Sequence, residues 1–361
     1  MGIFDKFLGG DKSNKSVLGI DISSSSIKVV QAKKSKGRGV LETYGELALG
    51  PYTGLEMGRA TNLGIDKLSE ALIDLLKEAK TTTKEAGVAI PISSSLVNII
   101  KMPNVGEARM KEMIPIEMRK YIPVPVSEVV MDWKIIPKSL IKEDQDDDHV
   151  EVFVVSIHQE TINRYQEIVK RAGLKVSFFE IEVFSTIRSV IEDSRNPSMI
   201  IDFGAGTTKA YIIDDGIVRD SHIINRGSQD INQSLSRSMG LTLKKAEEIK
   251  REQGLSIDPK NANNYKISSL VVENILREAG QVLINFEKKF NKIVEKTYLS
   301  GGGSLLKGFP EIAKKIIDSE VIIGNPFGKL QYPAFLDNTL KEAGPEFAVS
   351  VGVLLRKLEE E

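Results

Sequence analysis

Two stretches about half the chain apart follow the same pattern, and this repeat constrains the fold more than any other feature. Residues 16–33 contain an apolar run that ends at Asp21, a turn of four serines and a second apolar run. Residues 198–218 repeat this order with Asp202, a glycine and threonine turn and another apolar run. Short β-branched runs on either side of a polar turn are typical of β-hairpins. The repeat predicts two similar halves with a cleft between them.

The composition excludes several classes of protein and site. With 361 residues, 41% of them hydrophobic, the chain can form one large or two ordinary domains. It has no cysteine, and its three histidines (His149, His158 and His222) lack metal-ligand spacing. The formal net charge of -1 argues against a nucleic-acid surface. No apolar run approaches the ~18 residues that a spanning helix needs, and the start is too short for a signal peptide, so we expect a cytoplasmic protein.

Amphipathic segments separate the predicted strands. Residues 65–79 place six apolar side chains on one helical face: Ile65, Leu68, Leu72, Leu75, Leu76 and Ala79. Residues 161–173 predict a second helix that begins at Thr161 and ends at Gly173. Both are expected to pack on a sheet. An acidic cluster at Asp144 and Asp146–Asp148 is interpreted as a solvated loop, with cation binding as the alternative.

Three small-residue turns have the character of phosphate-binding loops. They are "DISSSS" after the first strand, "DFGAGTT" after its repeat, and the triple-glycine turn within "TYLSGGGSLLKGFPEI". Phosphate is held best where backbone N–H groups converge and no bulky side chain blocks the approach. One glycine turn alone is usually an ordinary turn. Three such turns, two of them led by an aspartate, indicate a phosphate site.

With these motifs the chain resembles the actin-like ATPase superfamily. "GIDISSSSIKVV" is similar to its first phosphate loop, "IIDFGAGTTKAYIID" to its second and "LSGGGSLLKGF" to its adenosine loop. "KAEEIKREQG" resembles a helix that faces the ribose and base, and "EIEVFSTIRSV" resembles the connecting helix. The resemblance implies an α/β fold of two duplicated, ribonuclease-H-like halves. It also implies that ATP or ADP binds with Mg²⁺ in the cleft.

The resemblance also implies a role for individual residues. Asp21 and Asp202 would hold Mg²⁺ through water, and Glu182 would orient the attacking water. The implied nucleotide contacts are Ser24, Ser25, Ser26, Lys28, Gly204, Gly206, Thr207, Thr208, Glu247, Lys250, Gly301, Gly302 and Gly303. Two positions depart from the superfamily pattern. Val183 stands where the superfamily usually has proline, and Ser23 stands where it usually has glycine. If position 23 needs a positive φ, serine costs on the order of 1 kcal/mol and weakens ATP binding. Turnover is expected to be slow or absent.

The middle of the chain narrows the resemblance to one family. "IEMRKYIPVPVSEVVMDWKII" is similar to the signature of the PilM family of type IV pilus assembly proteins. The match is carried by Glu117, Lys120, Tyr121, Ile122, Pro123 and Pro125. It implies an FtsA-like inserted subdomain and an adaptor that binds the N-terminal cytoplasmic tail of a PilN-like inner-membrane protein. The adaptor would lie at the inner face of the bacterial inner membrane and contact other pilus-machine components. Pro115 departs from the family helix and predicts a kink or a helix restart.

This resemblance predicts the following division of the chain. Residues 1–15 form a leader, and residues 16–195 form the first half with an insertion at about 86–160. Residues 196–345 form the second half with a small subdomain at about 228–290, and residues 346–361 form a helix that returns to the first half. Residues 1–10 place Ile3, Phe4, Phe7 and Leu8 on one face of a short helix. This face either packs on the protein or enters the membrane interface weakly and reversibly.

Two alternative functions belong to the same superfamily. An FtsA-like division protein would anchor itself through a basic amphipathic C-terminal helix, whereas this chain ends in "LRKLEEE". A small-molecule kinase would need a catalytic base and a sugar pocket, and the sequence contains no such constellation. A GspL-like secretion protein would carry a transmembrane helix. The sequence leaves open whether ATP is hydrolysed and whether the chain self-associates.

Overall fold

The computed structural model describes residues 16–136, 149–257 and 262–360. The predictions for residues 1–10 and for the acidic cluster at 144–148 lie outside these ranges. The strands are β1 (Ser16–Ile22), β2 (Ser26–Ser35), β3 (Arg38–Ala48), β4 (Glu85–Ile90), β5 (Ser95–Pro103), β6 (Val129–Ile135), β7 (His149–His158), β8 (Lys175–Ile181), β9 (Ser198–Phe203), β10 (Thr208–Asp214), β11 (Ile217–Ile224), β12 (Lys296–Ser300) and β13 (Glu320–Ile323). The helices are α1 (Ile65–Glu78), α2 (Glu107–Met118), α3 (Gln159–Arg171), α4 (Glu182–Val190), α5 (Ser228–Met239), α6 (Leu243–Gln253), α7 (Ala262–Phe290), α8 (Phe309–Ile316), α9 (Asp337–Ala343) and α10 (Ala348–Glu360).

Two five-stranded sheets repeat one topology. The first has the strand order β3-β2-β1-β4-β8 and the second has the order β11-β10-β9-β12-β13. In each sheet an antiparallel meander of three strands is followed by two strands that run parallel to its first strand. The two acid-led hairpins are therefore equivalent elements of the two halves. The predicted duplicated α/β architecture is confirmed.

The helices cover these sheets with apolar faces. Helix α1 buries Leu68, Leu72, Leu75 and Leu76, as the periodicity of the sequence predicts. Helix α3 begins at Gln159, two residues before the predicted start at Thr161. Its N-cap is His158, whose extended backbone ends β7 directly, so no separate loop precedes the helix. At the other end of α3, Gly173 has a φ of +75°, which terminates the helix as predicted.

A third sheet and one helix form the insertion. Its antiparallel order is β5-β7-β6, and α2 buries Met110, Ile114 and Met118 against it. β4 belongs to the first sheet, so the insertion begins after Ile90 rather than near residue 86 as predicted. Helix α2 runs through Pro115 as one element, so the predicted restart does not occur. Burial of its apolar face compensates for the hydrogen bond that proline cannot donate.

The C-terminal helix α10 packs against β1 and α4, both of the first half. The backbones of α10 and α4 approach each other closely, since a Cβ atom added at Gly352 would lie 1.8 Å from the carbonyl oxygen of Ser185 in α4. A Cβ atom at Gly19 in β1 would lie 2.1 Å from the carbonyl oxygen of Ser350. Within the described ranges, no helix combines the length and apolar character that crossing a bilayer requires.

Candidate functional site

The serine turn between β1 and β2 closes on its own hydroxyl. The N–H of Ser23 donates to the carbonyl oxygen of Ser26 at 3.0 Å, and its Oγ donates to the same oxygen at 2.9 Å. Ser23 is not among the described residues with a positive φ. The condition for strain at this position, a positive φ, is therefore not met, because the turn accommodates serine without the left-handed conformation. Its side chain is used within the turn and does not extend toward a ligand.

The first loop lies directly opposite the second. A Cβ atom at Gly206 would lie 3.8 Å from Ser24 Oγ, and Ser24 is exposed. Ser25 is half-buried, whereas Ser26 is buried and its Oγ accepts from Lys28 Nζ at 2.6 Å. Ser24 and Ser25 therefore remain at least partly accessible, whereas the hydroxyl of Ser26 is turned inward. Two hairpin turns from different halves of the chain thus form the two sides of one cleft.

The second loop is braced by the start of α5. The carbonyl oxygens of Gly204 and Ala205 accept from the N–H groups of Ser228 and Gln229 at 2.9 and 3.0 Å. Thr207 is half-buried on the loop. Thr208 is fully buried, and its hydroxyl donates to the carbonyl oxygen of Arg226 at 2.8 Å. Because side chains alternate along β10, Thr208 points into the core and the next residue points into the cleft.

The triple-glycine turn packs against the end of β9. A Cβ atom at Gly301 would lie 2.4 Å from Asp202 Oδ1, and one at Gly303 would lie 2.6 Å from the carbonyl oxygen of Phe203. These two glycines are therefore required by contacts within the protein, whereas the sequence interpretation assigned them to a ligand. A Cβ atom at Gly302 would lie 3.3 Å from Glu346 Oε2. Gly302 thus faces a carboxylate at the rim of the cleft.

Acidic residues from both halves meet around one ammonium group. Lys209 Nζ lies 2.8 Å from Glu182 Oε2 and 3.3 Å from Asp202 Oδ2, with 16% of the lysine side chain exposed. The other oxygen of Glu182 accepts from the N–H of Ile92 at 2.8 Å. Asp21 lies buried close by. The two predicted metal residues and the predicted water-orienting residue are thus brought together, with a lysine among them.

The charges of this cluster shift its protonation. Burial raises the pKa of Asp21 to about 6, and the neighbouring Glu182 and Asp202 add to that effect against Lys28 and Lys209. Burial disfavours the charged form of Lys209, but Glu182 and Asp202 outweigh burial and raise the pKa of Lys209 well above its ordinary value. In the described ranges, no group of three or more histidine, cysteine, aspartate or glutamate side chains has an arrangement that could hold a metal ion. The cluster as it stands fits Mg²⁺ poorly, because an ammonium already occupies its carboxylates.

A second charged group joins the first loop to the triple-glycine turn. Lys28 Nζ lies 3.1 Å from Glu46 Oε1, and Glu346 lies against Glu46. Burial, reinforced by the Glu46 charge, raises the pKa of Glu346 to about 7. Glu346 also lies against Gly302, so the lysine that the sequence assigned to phosphate contacts is linked to the predicted adenosine loop.

Helix α6 supplies the other predicted adenosine contacts. Glu247 Oε2 lies 2.6 Å from Lys250 Nζ and accepts from Asn232 Nδ2 at 2.5 Å. Glu247 Oε1 accepts from Arg251 Nε at 2.6 Å. Burial opposes ionisation of Glu247, but Lys250 and these hydrogen bonds outweigh it and lower the pKa of Glu247. Asn232 Oδ1 is buried with no hydrogen-bond partner in the described structure. That unpaired acceptor beside Glu247 fits a hydroxyl or amino donor of a nucleoside.

Three residues of this region were missed by the sequence interpretation. Lys209 lies within the quoted second loop motif, and strand alternation from Asp202 across the hairpin could have placed it in the cleft. Asn232 and Glu346 carry no signal in the sequence, because each reaches the site only through packing between distant segments. The structure brings all of the predicted loops to one cleft, but it turns Ser26 and Thr208 inward.

A separate apolar cavity lies where the insertion meets the first half. It has a volume of about 170 Å³. Its lining comprises Asp132, Trp133, Lys134, Phe153, Val155, Ile157, Phe179, Glu180, Ile181, Phe184 and Arg356. The rings of Phe153 and Phe184 meet edge to face at 5.7 Å, one from each side of the boundary. At the edge of this cavity, the guanidinium of Arg188 donates two hydrogen bonds, of 2.7 and 2.9 Å, to the carboxylate of Glu180.

Solved structures share this fold. A structure of the PilM-PilN type IV pilus biogenesis complex superposes with a TM-score of 0.80 at 25% identity, over 96% of this chain and 99% of that chain. MreB5 of Spiroplasma citri bound to AMPPNP superposes with a TM-score of 0.52 at 11% identity, over 96% and 98% of the two chains. The predicted actin-like ATPase fold is therefore confirmed.

Curated relatives are division proteins that match part of the chain. Cell division protein FtsA of Agrobacterium fabrum is 24% identical over 57% of this chain and 51% of its own length. FtsA of Neisseria meningitidis is 27% identical over 56% of this chain and 53% of its own length. The chain spans about half the length of these relatives. The family described as type IV pilus assembly protein PilM, in contrast, matches residues 19–358. The chain therefore belongs to the PilM family of type IV pilus assembly proteins.

Proposed function

We propose that this protein is a cytoplasmic adaptor of type IV pilus assembly that binds a nucleotide in its cleft. Its partner is the N-terminal cytoplasmic tail of a PilN-like inner-membrane protein, which holds it at the inner face of the membrane. The observation that carries the proposal is the apolar cavity between the insertion and the first half. It occurs in a chain whose fold matches that of a PilM-PilN complex along nearly its whole length.

The cavity has the chemistry that an extended apolar peptide requires. Aromatic and aliphatic side chains form its walls, and Asp132, Lys134 and Glu180 provide charged groups among its lining. Such a groove binds apolar side chains of an extended segment and selects its register through the polar rim. Because its walls come from two subdomains, a bound peptide would also tie the insertion to the first half.

The small-residue loops and one unpaired acceptor of the cleft support nucleotide binding. Exposed Ser24 lies near Gly206, where an added Cβ atom would lie 3.8 Å from Ser24 Oγ and 3.0 Å from Ala60 Cβ, so small residues line this part of the cleft and suit phosphate oxygens. Asn232 Oδ1 provides an acceptor for the nucleoside. ATP and ADP are the candidates, since the MreB5 structure that shares the fold holds AMPPNP.

Slow turnover follows from the state of Glu182. One of its oxygens accepts from the N–H of Ile92 and the other is paired with Lys209, so neither is available to orient water. An adaptor needs a nucleotide to stabilise one conformation and does not need rapid hydrolysis. We therefore assign the cleft a structural role in which ATP or ADP holds the halves together.

Trp133 provides a direct test of the partner site. It is the only tryptophan of the chain and it lines the cavity, so its emission reports on peptide binding. A synthetic peptide with the tail sequence of the cognate PilN-like protein should shift that emission in a saturable way. Val155→Arg should abolish the shift, because it places a charge in the cavity.

The control for this test is Ile293→Arg, which alters a side chain that is 74% exposed and lies outside the cavity. It should bind the peptide like the wild type. Equal binding by folded Val155→Arg would locate the partner elsewhere. A wild type that fails to bind the peptide would refute the adaptor function.

Isothermal titration with millimolar ATP and ADP tests the cleft. Thr207→Glu should remove binding, because it places a negative charge on the second loop against the phosphates. Thr161→Glu is the matched control at the first turn of α3, where an acid is tolerated, and should bind like the wild type. The absence of any heat of binding in the wild type would refute the nucleotide site.

A further inference from the structure

We propose that Lys209 is a built-in cation that takes the place of the divalent metal in the cleft, so that nucleotide binds with little dependence on Mg²⁺. The inference rests on the proposed nucleotide site and concerns which cation balances the negative charge of Glu182 and Asp202 in that site. Lys209 Nζ lies between Glu182 and Asp202, at 2.8 and 3.3 Å from their nearest carboxylate oxygens.

The position of Lys209 is built into the hairpin. In the antiparallel ladder of β9 and β10, Lys209 lies directly opposite Asp202. Cross-strand neighbours of opposite charge approach closely enough to pair. The register that buries the apolar face of β10 therefore also sets the lysine against the acid. A shift of the lysine away from Asp202 would require a change of register or of rotamer.

The duplicated half repeats this arrangement. In the ladder of β1 and β2, Lys28 lies directly opposite Asp21. Lys28 Nζ donates to Ser26 Oγ at 2.6 Å and pairs with Glu46 at 3.1 Å, so its charge is held beside the first loop. Each predicted metal residue thus has a lysine across its hairpin. The cross-strand register therefore recurs in both halves, with Lys209 paired with Asp202 and Lys28 paired with Glu46.

A metal ion and this lysine compete for the same oxygens. Mg²⁺ requires a near-octahedral set of oxygens and gives up its water reluctantly. Glu182 Oε2 and Asp202 Oδ2 already face an ammonium group, and a nearby dication would be repelled by it. The lysine is a point charge on a flexible stem, which suits contact with phosphate oxygens. Lys209 therefore offsets part of the negative charge of the two acids that it contacts and can attract the nucleotide without a metal.

The test compares ATP affinity by isothermal titration with excess MgCl₂ and with excess EDTA. For the wild type, the two dissociation constants should agree within about threefold. For Lys209→Met, removal of the ammonium leaves the acids to repel phosphate, so binding in EDTA should fall by about tenfold or more relative to MgCl₂. Lys209→Arg should retain the behaviour of the wild type, because it retains the charge.

A second readout needs no nucleotide. Mg²⁺ alone should leave the midpoint of thermal unfolding of the wild type unchanged, and it should raise that of Lys209→Met, whose carboxylates are free to bind the ion. Lys292→Met is the matched control, since Lys292 pairs with buried Asp214 outside the cleft and is similarly shielded, with 20% of its side chain exposed. Mg²⁺ should leave that control unchanged.

The outcomes separate the inference from the proposed function. A wild type that binds ATP only with Mg²⁺ overturns the inference and leaves the nucleotide site intact. Mg²⁺ that stabilises the free wild type overturns it as well, even if Lys209→Met fails to fold. A wild type that binds nucleotide in neither buffer overturns the proposed nucleotide site, and this inference with it.

Discussion

Replacing Gly352 with alanine should force helix α10 away from helix α4 and destabilise the protein. Gly352 lies in α10, where its missing side chain lets the backbone of α4 approach. An added Cβ would lie 1.8 Å from the carbonyl oxygen of Ser185 and 2.3 Å from its carbonyl carbon. Both atoms are backbone, so a rotamer change cannot relieve the overlap. The helices must move apart.

The magnitude of this destabilisation follows from one stabilising and two destabilising effects. Alanine favours a helix over glycine by about 1 kcal/mol, which would stabilise the variant in the absence of contacts. Overpacking of this kind costs about 1–3 kcal/mol and occasionally more. Separation of the helices would also lengthen the bond of 3.0 Å from Arg188 Nη1 to the carbonyl oxygen of Gly352. A hydrogen bond to a charged group contributes about 1.5–3 kcal/mol, so we expect a net loss of about 2 kcal/mol.

Gly280→Ala provides the matched control in a second helix, α7. Its added Cβ would lie 3.4 Å from Ile317 Cδ1, an ordinary contact, so helix propensity should dominate and stabilise the protein by up to about 1 kcal/mol. Urea unfolding followed by circular dichroism measures both variants. For an m-value of about 3 kcal/mol/M, the midpoint of Gly352→Ala should fall by roughly 0.7 M. An unchanged or raised midpoint, with Gly280→Ala stabilised, would refute the packing argument.

Three further predictions concern stability and turnover. The folded protein raises the pKa of Glu346 from 4.5 to about 7, so it favours the protonated side chain. The stability that depends on this protonation is fully present below pH 4.5 and is lost as the pH rises through 7. Glu346→Gln should therefore gain stability relative to the wild type between about pH 5 and about pH 8, and a difference independent of pH would contradict this. Phosphate release from ATP should stay below about 1 per second, because Glu182 is held by Lys209, and faster release would exclude that restraint. Pro115→Ala should raise the unfolding midpoint by restoring a helix hydrogen bond worth roughly 1 kcal/mol, which calorimetry can measure, and a lower midpoint would mean that proline is preferred there.

The sequence alone determined the duplicated hairpins and the acids that end their first strands. Strand signals are local, since alternation and turn composition depend on residues close together in the chain. The repeat at half the chain length then implied the cleft, and the position of Asp21 and Asp202 at equivalent strand ends follows from it. The inserted subdomain was predicted from a short motif around Tyr121. Its start was placed too early, because an apolar strand does not reveal which sheet it joins.

Only the tertiary structure decided what each polar group contacts. Ser23 lacks strain because a hydroxyl closes its own turn, and Gly301 is required by the carboxylate of Asp202 from another strand. Lys209 pairs with Glu182 across the boundary between the halves. Such contacts join residues far apart in the chain, so their geometry depends on the packing of whole sheets and helices. A local pattern can name the groups that reach the cleft, but the cleft itself decides which of them remain available to a ligand.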